Sequence, residues 1–88
     1  MENDTYDSYF YKALSEYMGR KRVLASRTVD EVAEIIGLPK TTFFQYESGH
    51  RKMPLSVFGK LCLLYNVKMN DAIKEIQENT LELINKEL

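Results

Sequence analysis

The chain has 88 residues, of which 44% are hydrophobic and 28% charged, and its formal net charge is −1. This length allows one domain with a small core, and only four glycines and two prolines favour helices over a turn-rich β fold. Cys62 is the only cysteine and His50 the only histidine, which excludes an intramolecular disulfide and most metal sites. We therefore expect an all-α protein that binds no metal or other cofactor.

The sequence has no apolar run near the roughly 20 residues that a membrane-spanning helix needs, so we expect no membrane span. Residues 1–4 are partly acidic and lack the pattern of a secretory signal. A lone cysteine is typical of a reducing compartment. These features predict a cytoplasmic protein.

Charge is unevenly distributed along the chain. Residues 20–60 contain eight lysines and arginines against four acidic residues, a net charge of +4, whereas the remainder contains four basic and nine acidic residues, a net charge of −5. A basic central segment can orient a protein on a phosphate surface even when the total charge is negative. The distribution therefore keeps nucleic acid among the expected partners.

The first helix is predicted over residues 8–22, with Asp7 or Ser8 as its N-cap. Its apolar face recurs at three- and four-residue spacing and consists of Phe10, Ala13, Leu14, Tyr17 and Met18. The basic run at residues 20–22 is interpreted as solvated surface.

A short helix, a tight turn and another helix are predicted in the centre of the chain. Thr28 and Glu31 have the spacing of a capping box, in which each side chain accepts a hydrogen bond from the other residue's amide. Gly37 suits the left-handed position that ends the second helix, and Pro39 suits the first position of the third. Two helices joined by about three residues cross steeply, as in a helix-turn-helix.

The third helix is predicted from Pro39 to about Glu47 and has two faces. Phe43 and Tyr46 lie on the side that packs against the second helix. The opposite side carries Lys40, Thr41, Phe44 and Gln45. A basic loop, residues 50–52, follows this helix.

The last two helices are predicted from Leu55 to about Tyr65 and from about Met69 to the C-terminus. We expect residues 1–70 to form the main domain and residues 71–88 an extension of it. Because the fifth helix is expected to outrun a compact body, part of its apolar stripe should be uncovered, as at a two-fold interface. The predicted dimer interface comprises Ile73, Ile76, Thr80, Leu83 and Ile84. The alternative is that this stripe packs back on the first helix.

Residues 28–49 resemble the helix-turn-helix of the XRE family, the five-helix DNA-binding domain of phage Cro and repressor proteins. The resemblance depends on Ala33 at a tight helix contact, Gly37 in the turn, and Glu47 and Gly49 before basic residues. Residues 60–67 look like the fourth helix of that family, so that the similarity extends over residues 8–75. The chain departs from the pattern at Arg27 and Lys68, where the family usually places an apolar residue and a Ser or Thr cap.

The resemblance implies that Lys40, Thr41 and Gln45 read bases, with Phe44 beside them. Their chemistry agrees, since lysine donates to guanine O6 and N7, glutamine pairs with adenine, and an apolar ring contacts the thymine methyl. The implied phosphate contacts are Thr28, Thr42, Ser48, His50, Arg51 and Lys52. Contacts of this second kind fix the register on the duplex and carry most of the salt dependence.

The expected function is therefore that of a transcriptional regulator, a repressor, that binds double-stranded operator DNA as a homodimer. The alternative is a protein-interaction module with a helix-turn-helix fold, of the antitoxin or antirepressor type. An enzyme is not expected, because the sequence contains no metal cluster, no nucleophile paired with a base and no phosphate-binding glycine loop.

Overall fold

The computed structural model describes the backbone of residues 3–87 and the side chains of residues 5–87, and it is all-α. Residues 1, 2 and 88 lie outside this description. The prediction of a cytoplasmic protein used residues 1–4, and part of that segment therefore lies outside it as well. The described residues form five helices: α1 (Asn3–Leu24), α2 (Val29–Ile36), α3 (Lys40–Glu47), α4 (Leu55–Leu64) and α5 (Met69–Glu87). The predicted fold class and the number of helices are confirmed.

Helix α1 begins five residues earlier than the apolar spacing predicted. Asp7 and Ser8 lie inside the helix, so the prediction that one of them caps it is wrong. An aromatic stack supports the added turn, because the rings of Tyr6 and Phe10 lie 6.0 Å apart, and the Phe10 ring meets the Tyr11 ring edge-on at 5.3 Å. Such pairs stabilise a helix beyond their apolar burial.

Helices α2 and α3 form as their local signals predict. The Glu31 amide donates to Thr28 Oγ1 at 3.1 Å and the Thr28 amide donates to Glu31 Oε1 at 3.2 Å, which completes the capping box. Gly37 ends α2 with φ at 76°, in the left-handed region that glycine adopts without strain. Pro39 differs by one position from the prediction, since it precedes the first helical residue, Lys40.

The core lies where the five helices converge. Phe43 of α3 is fully buried in this core, and α3 packs against α1 and α2. The other large side chains without exposed surface are Met18, Val32, Leu61, Cys62, Ile76 and Thr80. Burial raises the pKa of the Cys62 thiol, which keeps this side chain a small apolar core residue.

Helix α5 packs along α1, which corrects the predicted dimer interface. Ile76, Thr80 and Ile84 are buried within the chain, so they are not available to a second copy. The Thr80 hydroxyl is satisfied internally, since it donates to the carbonyl oxygen of Ile76 at 2.7 Å. Leu83 is partly buried against the same core, and Ile73 alone of the predicted interface residues is exposed, at 39%.

The lengths of the two helices explain why the stripe is covered. The 22 residues of α1 extend over about 33 Å and the 19 residues of α5 over about 28 Å. A partner of that length lies beside α5 over the span in which Ala72, Ile76, Thr80 and Ile84 are buried. The boundary predicted at residues 70 and 71 falls inside α5.

None of the helices within residues 3–87 combines the length and the hydropathy that crossing a bilayer requires. Over residues 5–87, whose side chains the structure describes, His, Cys, Asp and Glu form no group of three or more arranged to hold a metal ion.

Candidate nucleic-acid interface

Helix α3 is anchored on one side and open on the other. Its buried side is fixed by Phe43, with Tyr46 partly buried against the core. On the opposite side Lys40, Thr41 and Phe44 are exposed, while Gln45 is half-buried. The structure thus brings the four predicted base-reading residues to the open side of one helix, as the helical spacing requires. Thr42, a predicted phosphate contact, is half-buried.

Lys40 has a partner that the sequence did not indicate. Its Nζ lies 2.8 Å from Oδ1 of Asp30, and both side chains are exposed, at 67% and 69%. Asp30 belongs to the first turn of α2 and Lys40 to the first turn of α3, and the packing of the two helices on each other brings them together. The open face therefore carries an acid beside its first base-reading candidate.

The basic loop is attached to the C-terminal end of α3. The Arg51 amide donates to the Gln45 carbonyl at 3.1 Å, and Arg51 Nη1 lies 3.5 Å from Gln45 Oε1. The Arg51 guanidinium also lies over the Tyr46 ring, 5.5 Å from its centre. Arg51 is thereby held beside the open face of α3, next to Gln45.

The remaining loop residues point in different directions. Ser48 Oγ lies 2.7 Å from Nδ1 of His50, and both side chains are exposed. Lys52 turns towards α1, where its Nζ lies 3.6 Å from a carboxylate oxygen of Asp7 and 5.6 Å from the centre of the Tyr11 ring. Among the predicted phosphate contacts, Lys52 is therefore the one whose ammonium group contacts α1 side chains.

The N-terminus of α2 offers little room for an anion at its backbone amides. The capping box uses the amides of Thr28 and Glu31, and Asp30 and Glu31 add two negative charges to the first turn. These carboxylates offset the positive end of the helix dipole. The exposed Thr28 hydroxyl still has its own hydrogen to donate, so a phosphate contact there would come from the side chain.

A largely buried ion pair joins α1 to the end of α3. Arg22 Nε donates to Glu47 Oε1 at 2.7 Å, and the two side chains are only 18% and 11% exposed. Arg22 Nη1 also donates to the carbonyl oxygen of Arg27 at 2.8 Å. The hydrogen bond to Glu47 raises the pKa of Arg22. The interpretation of residues 20–22 as solvated surface is therefore wrong for Arg22, which fixes α3 against the domain.

The Tyr65 hydroxyl lies close to this ion pair. It is buried and finds no hydrogen-bond partner among residues 5–87. Burial, followed by the negative charge of Glu47, raises the pKa of Tyr65 far above its usual value. The Tyr65 hydroxyl and the Arg22–Glu47 pair thus lie where water is largely excluded. Removing one charge of the pair is therefore expected to lower the stability of the fold.

Gly49 shapes the start of the basic loop, and replacing it by alanine is expected to destabilise the fold. Its φ is 82°, and an added Cβ would lie 3.3 Å from Ser15 Oγ. Because the left-handed conformation strains other residues, Gly49→Ala should lower the free energy of unfolding by about 1–2 kcal/mol.

Urea denaturation measures this effect, and Gly59→Ala in α4 is the matched control. An added Cβ at Gly59 meets only Met69 Sδ, at an ordinary contact distance of 3.9 Å, and the backbone there is helical. We expect the control to be neutral or stabilising, since alanine favours a helix. Equal losses in the two variants would contradict a conformational role for Gly49.

In comparisons with protein-family models, curated proteins and solved structures, nothing matched the chain. The similarity to the XRE family therefore rests on the residues quoted for it and stays a prediction.

Proposed function

We propose that this chain is a sequence-specific DNA-binding transcriptional regulator, a repressor, that binds operator DNA through the major groove as a homodimer. The observation that carries the proposal is helix α3, which is anchored by Phe43 and exposes Lys40 and Thr41 at its N-terminal end. Helices of this kind enter the major groove with their N-terminal residues against base edges. Gln45 lies one turn further along the same side.

The open face of α3 has a complete set of groups for reading bases. Lys40 donates to guanine O6 and N7, and Gln45 forms a two-bond contact with adenine. Thr41 serves a base or a phosphate, and the exposed Phe44 ring packs against a thymine methyl. Arg51, held at the end of α3, and the exposed pair of Ser48 and His50 bind the flanking phosphates.

The proposed homodimer uses a different surface from the buried stripe of α5. Leu63, near the end of α4, is 84% exposed. Met69 and Ile73, in the first two turns of α5, are exposed as well. A groove of about 910 Å³ lies at this junction, lined in part by Leu63, Met69 and the intervening Val67. Apolar side chains around a groove favour burial against a second copy.

Titration of a selected operator in a gel-shift assay tests the proposed function. Lys40→Ala and Gln45→Ala are each expected to weaken specific binding by about tenfold, because each removes contacts to a base. Lys74→Ala and Gln77→Ala on α5 remove the same side-chain types from exposed positions away from α3, and they should leave the affinity unchanged. Equal affinity for operator and scrambled DNA would overturn the proposal.

The same assay separates base contacts from phosphate contacts. Arg51→Ala is expected to weaken binding to operator and scrambled DNA alike and to reduce the slope of log affinity against log salt by about 1. A loss confined to one base pair would instead make Arg51 a base-reading residue.

The second candidate function is a protein-interaction module of the antitoxin or antirepressor type. It is favoured by Phe44 and Ile35, two large apolar side chains of the helix-turn-helix that are more than half exposed. A stoichiometric protein partner whose binding is lost in Phe44→Ala and kept in Lys40→Ala would favour this function over DNA binding.

A further inference from the structure

The ion pair between Asp30 and Lys40 lies on the proposed DNA-reading face, and it is too exposed to be explained by stability. Exposed pairs of this kind contribute little to folding. A carboxylate here also repels the phosphates of DNA, so Asp30 is unfavourable for non-specific binding. Its position beside Lys40 therefore calls for a role in selecting sequence.

The geometry of the pair matches the acceptor and donor at the centre of the major-groove edge of a G·C base pair. Guanine presents O6 and N7 as acceptors there, and cytosine presents its N4 amino group as a donor. Because cytosine N4 donates to guanine O6 within the pair, these two atoms lie about 2.9 Å apart. The Lys40 Nζ and Asp30 Oδ1 atoms lie 2.8 Å apart, and they offer the complementary donor and acceptor at the same separation.

We propose that Asp30 is a specificity-determining residue that reads one G·C pair jointly with Lys40. Lys40 donates to guanine O6, and Asp30 accepts from cytosine N4 while it keeps its ion pair with Lys40. At a T·A pair, thymine O4 and adenine N6 keep the order of the G·C pair, but the thymine methyl takes the place of guanine N7, so Lys40 distinguishes the two by donating to N7 as well as O6. At an A·T pair, the adenine N6 amino group and thymine O4 exchange the donor and acceptor positions. The two side chains then face groups of the wrong kind. This inference rests on the proposed function, since it requires α3 to enter the major groove.

The test measures the affinity of the full chain for a selected operator in which each base pair is replaced in turn. The wild type is expected to lose about tenfold when one G·C pair becomes A·T. Asp30→Ala should reduce that loss to within about threefold and leave the losses at positions not read by Lys40 unchanged. Lys40→Ala should flatten the profile at the same position, and the double variant should add no further change there.

Glu34→Ala is the matched control, because Glu34 is an exposed acid on α2, one turn beyond Asp30. Both substitutions remove one negative charge, so both should raise the affinity for scrambled DNA, and only Asp30→Ala should change the base profile. If the two variants differ from the wild type by the same uniform factor at every position, Asp30 acts through charge alone and the inference is wrong. Thermal unfolding establishes that each variant is folded.

Failure of the inference is distinguishable from failure of the proposed function. If the wild type prefers its operator over scrambled DNA and Asp30→Ala keeps the full profile, only the role of Asp30 is lost. If the wild type binds both DNAs equally, the proposed function and this inference fall together.

Discussion

Replacing Glu47 by glutamine is expected to lower the free energy of unfolding by about 2–3 kcal/mol, since it leaves the largely buried Arg22 charge without its partner. The Arg22 and Glu47 side chains are 18% and 11% exposed, so water screens neither of them well. Glutamine retains the shape of glutamate and its hydrogen-bonding capacity, and the loss therefore reports the charge. Urea denaturation followed by circular dichroism measures it.

The chain offers a matched control for this experiment in its exposed ion pair. Asp30 and Lys40 lie at nearly the same separation, 2.8 Å against 2.7 Å, but their side chains are mostly in solvent. Asp30→Asn should change the free energy of unfolding by less than about 1 kcal/mol. Equal effects in Asp30→Asn and Glu47→Gln would contradict the view that burial gives the Arg22–Glu47 pair its importance.

Ile76→Ala is expected to lower the free energy of unfolding by about 3 kcal/mol, because Ile76 is fully buried where α5 meets the core. Ile73, one turn earlier on the same helix, is 39% exposed. Ile73→Ala should therefore change stability by less than about 1 kcal/mol. Comparing the two variants shows whether the apolar stripe of α5 is buried within the chain or against a second copy.

Sedimentation equilibrium completes this comparison. In the proposed homodimer, Ile73→Ala weakens association, whereas Ile76→Ala acts on the folding of each subunit. A variant Ile76→Ala that unfolds like the wild type but no longer associates would restore the interface first predicted from the sequence.

The helix-turn-helix could be predicted because its signals are local. Thr28 and Glu31 form their capping box within one turn, and Gly37 takes the left-handed conformation whatever packs around it. The shared face of Lys40, Phe44 and the neighbouring side chains likewise follows from the period of the helix alone. These features required no knowledge of how distant segments meet.

The features that sequence reasoning missed depend on distant contacts. The stripe of α5 was expected to outrun a compact body, whereas it packs on α1, from which it is separated along the chain by three helices. Arg22 and Glu47 are 25 residues apart, and Asp30 and Lys40 meet only through the crossing of two helices. Neither pair leaves a periodic trace in the sequence.

The central claim, that α3 reads DNA sequence, is tested most directly by in vitro selection of bound DNA from a random pool with the wild-type chain. We expect enrichment of a palindromic consensus whose half-sites are separated by about one helical turn, each with a G·C pair that Asp30→Ala no longer requires. A pool that stays random after repeated rounds, although the chain is folded, would contradict it.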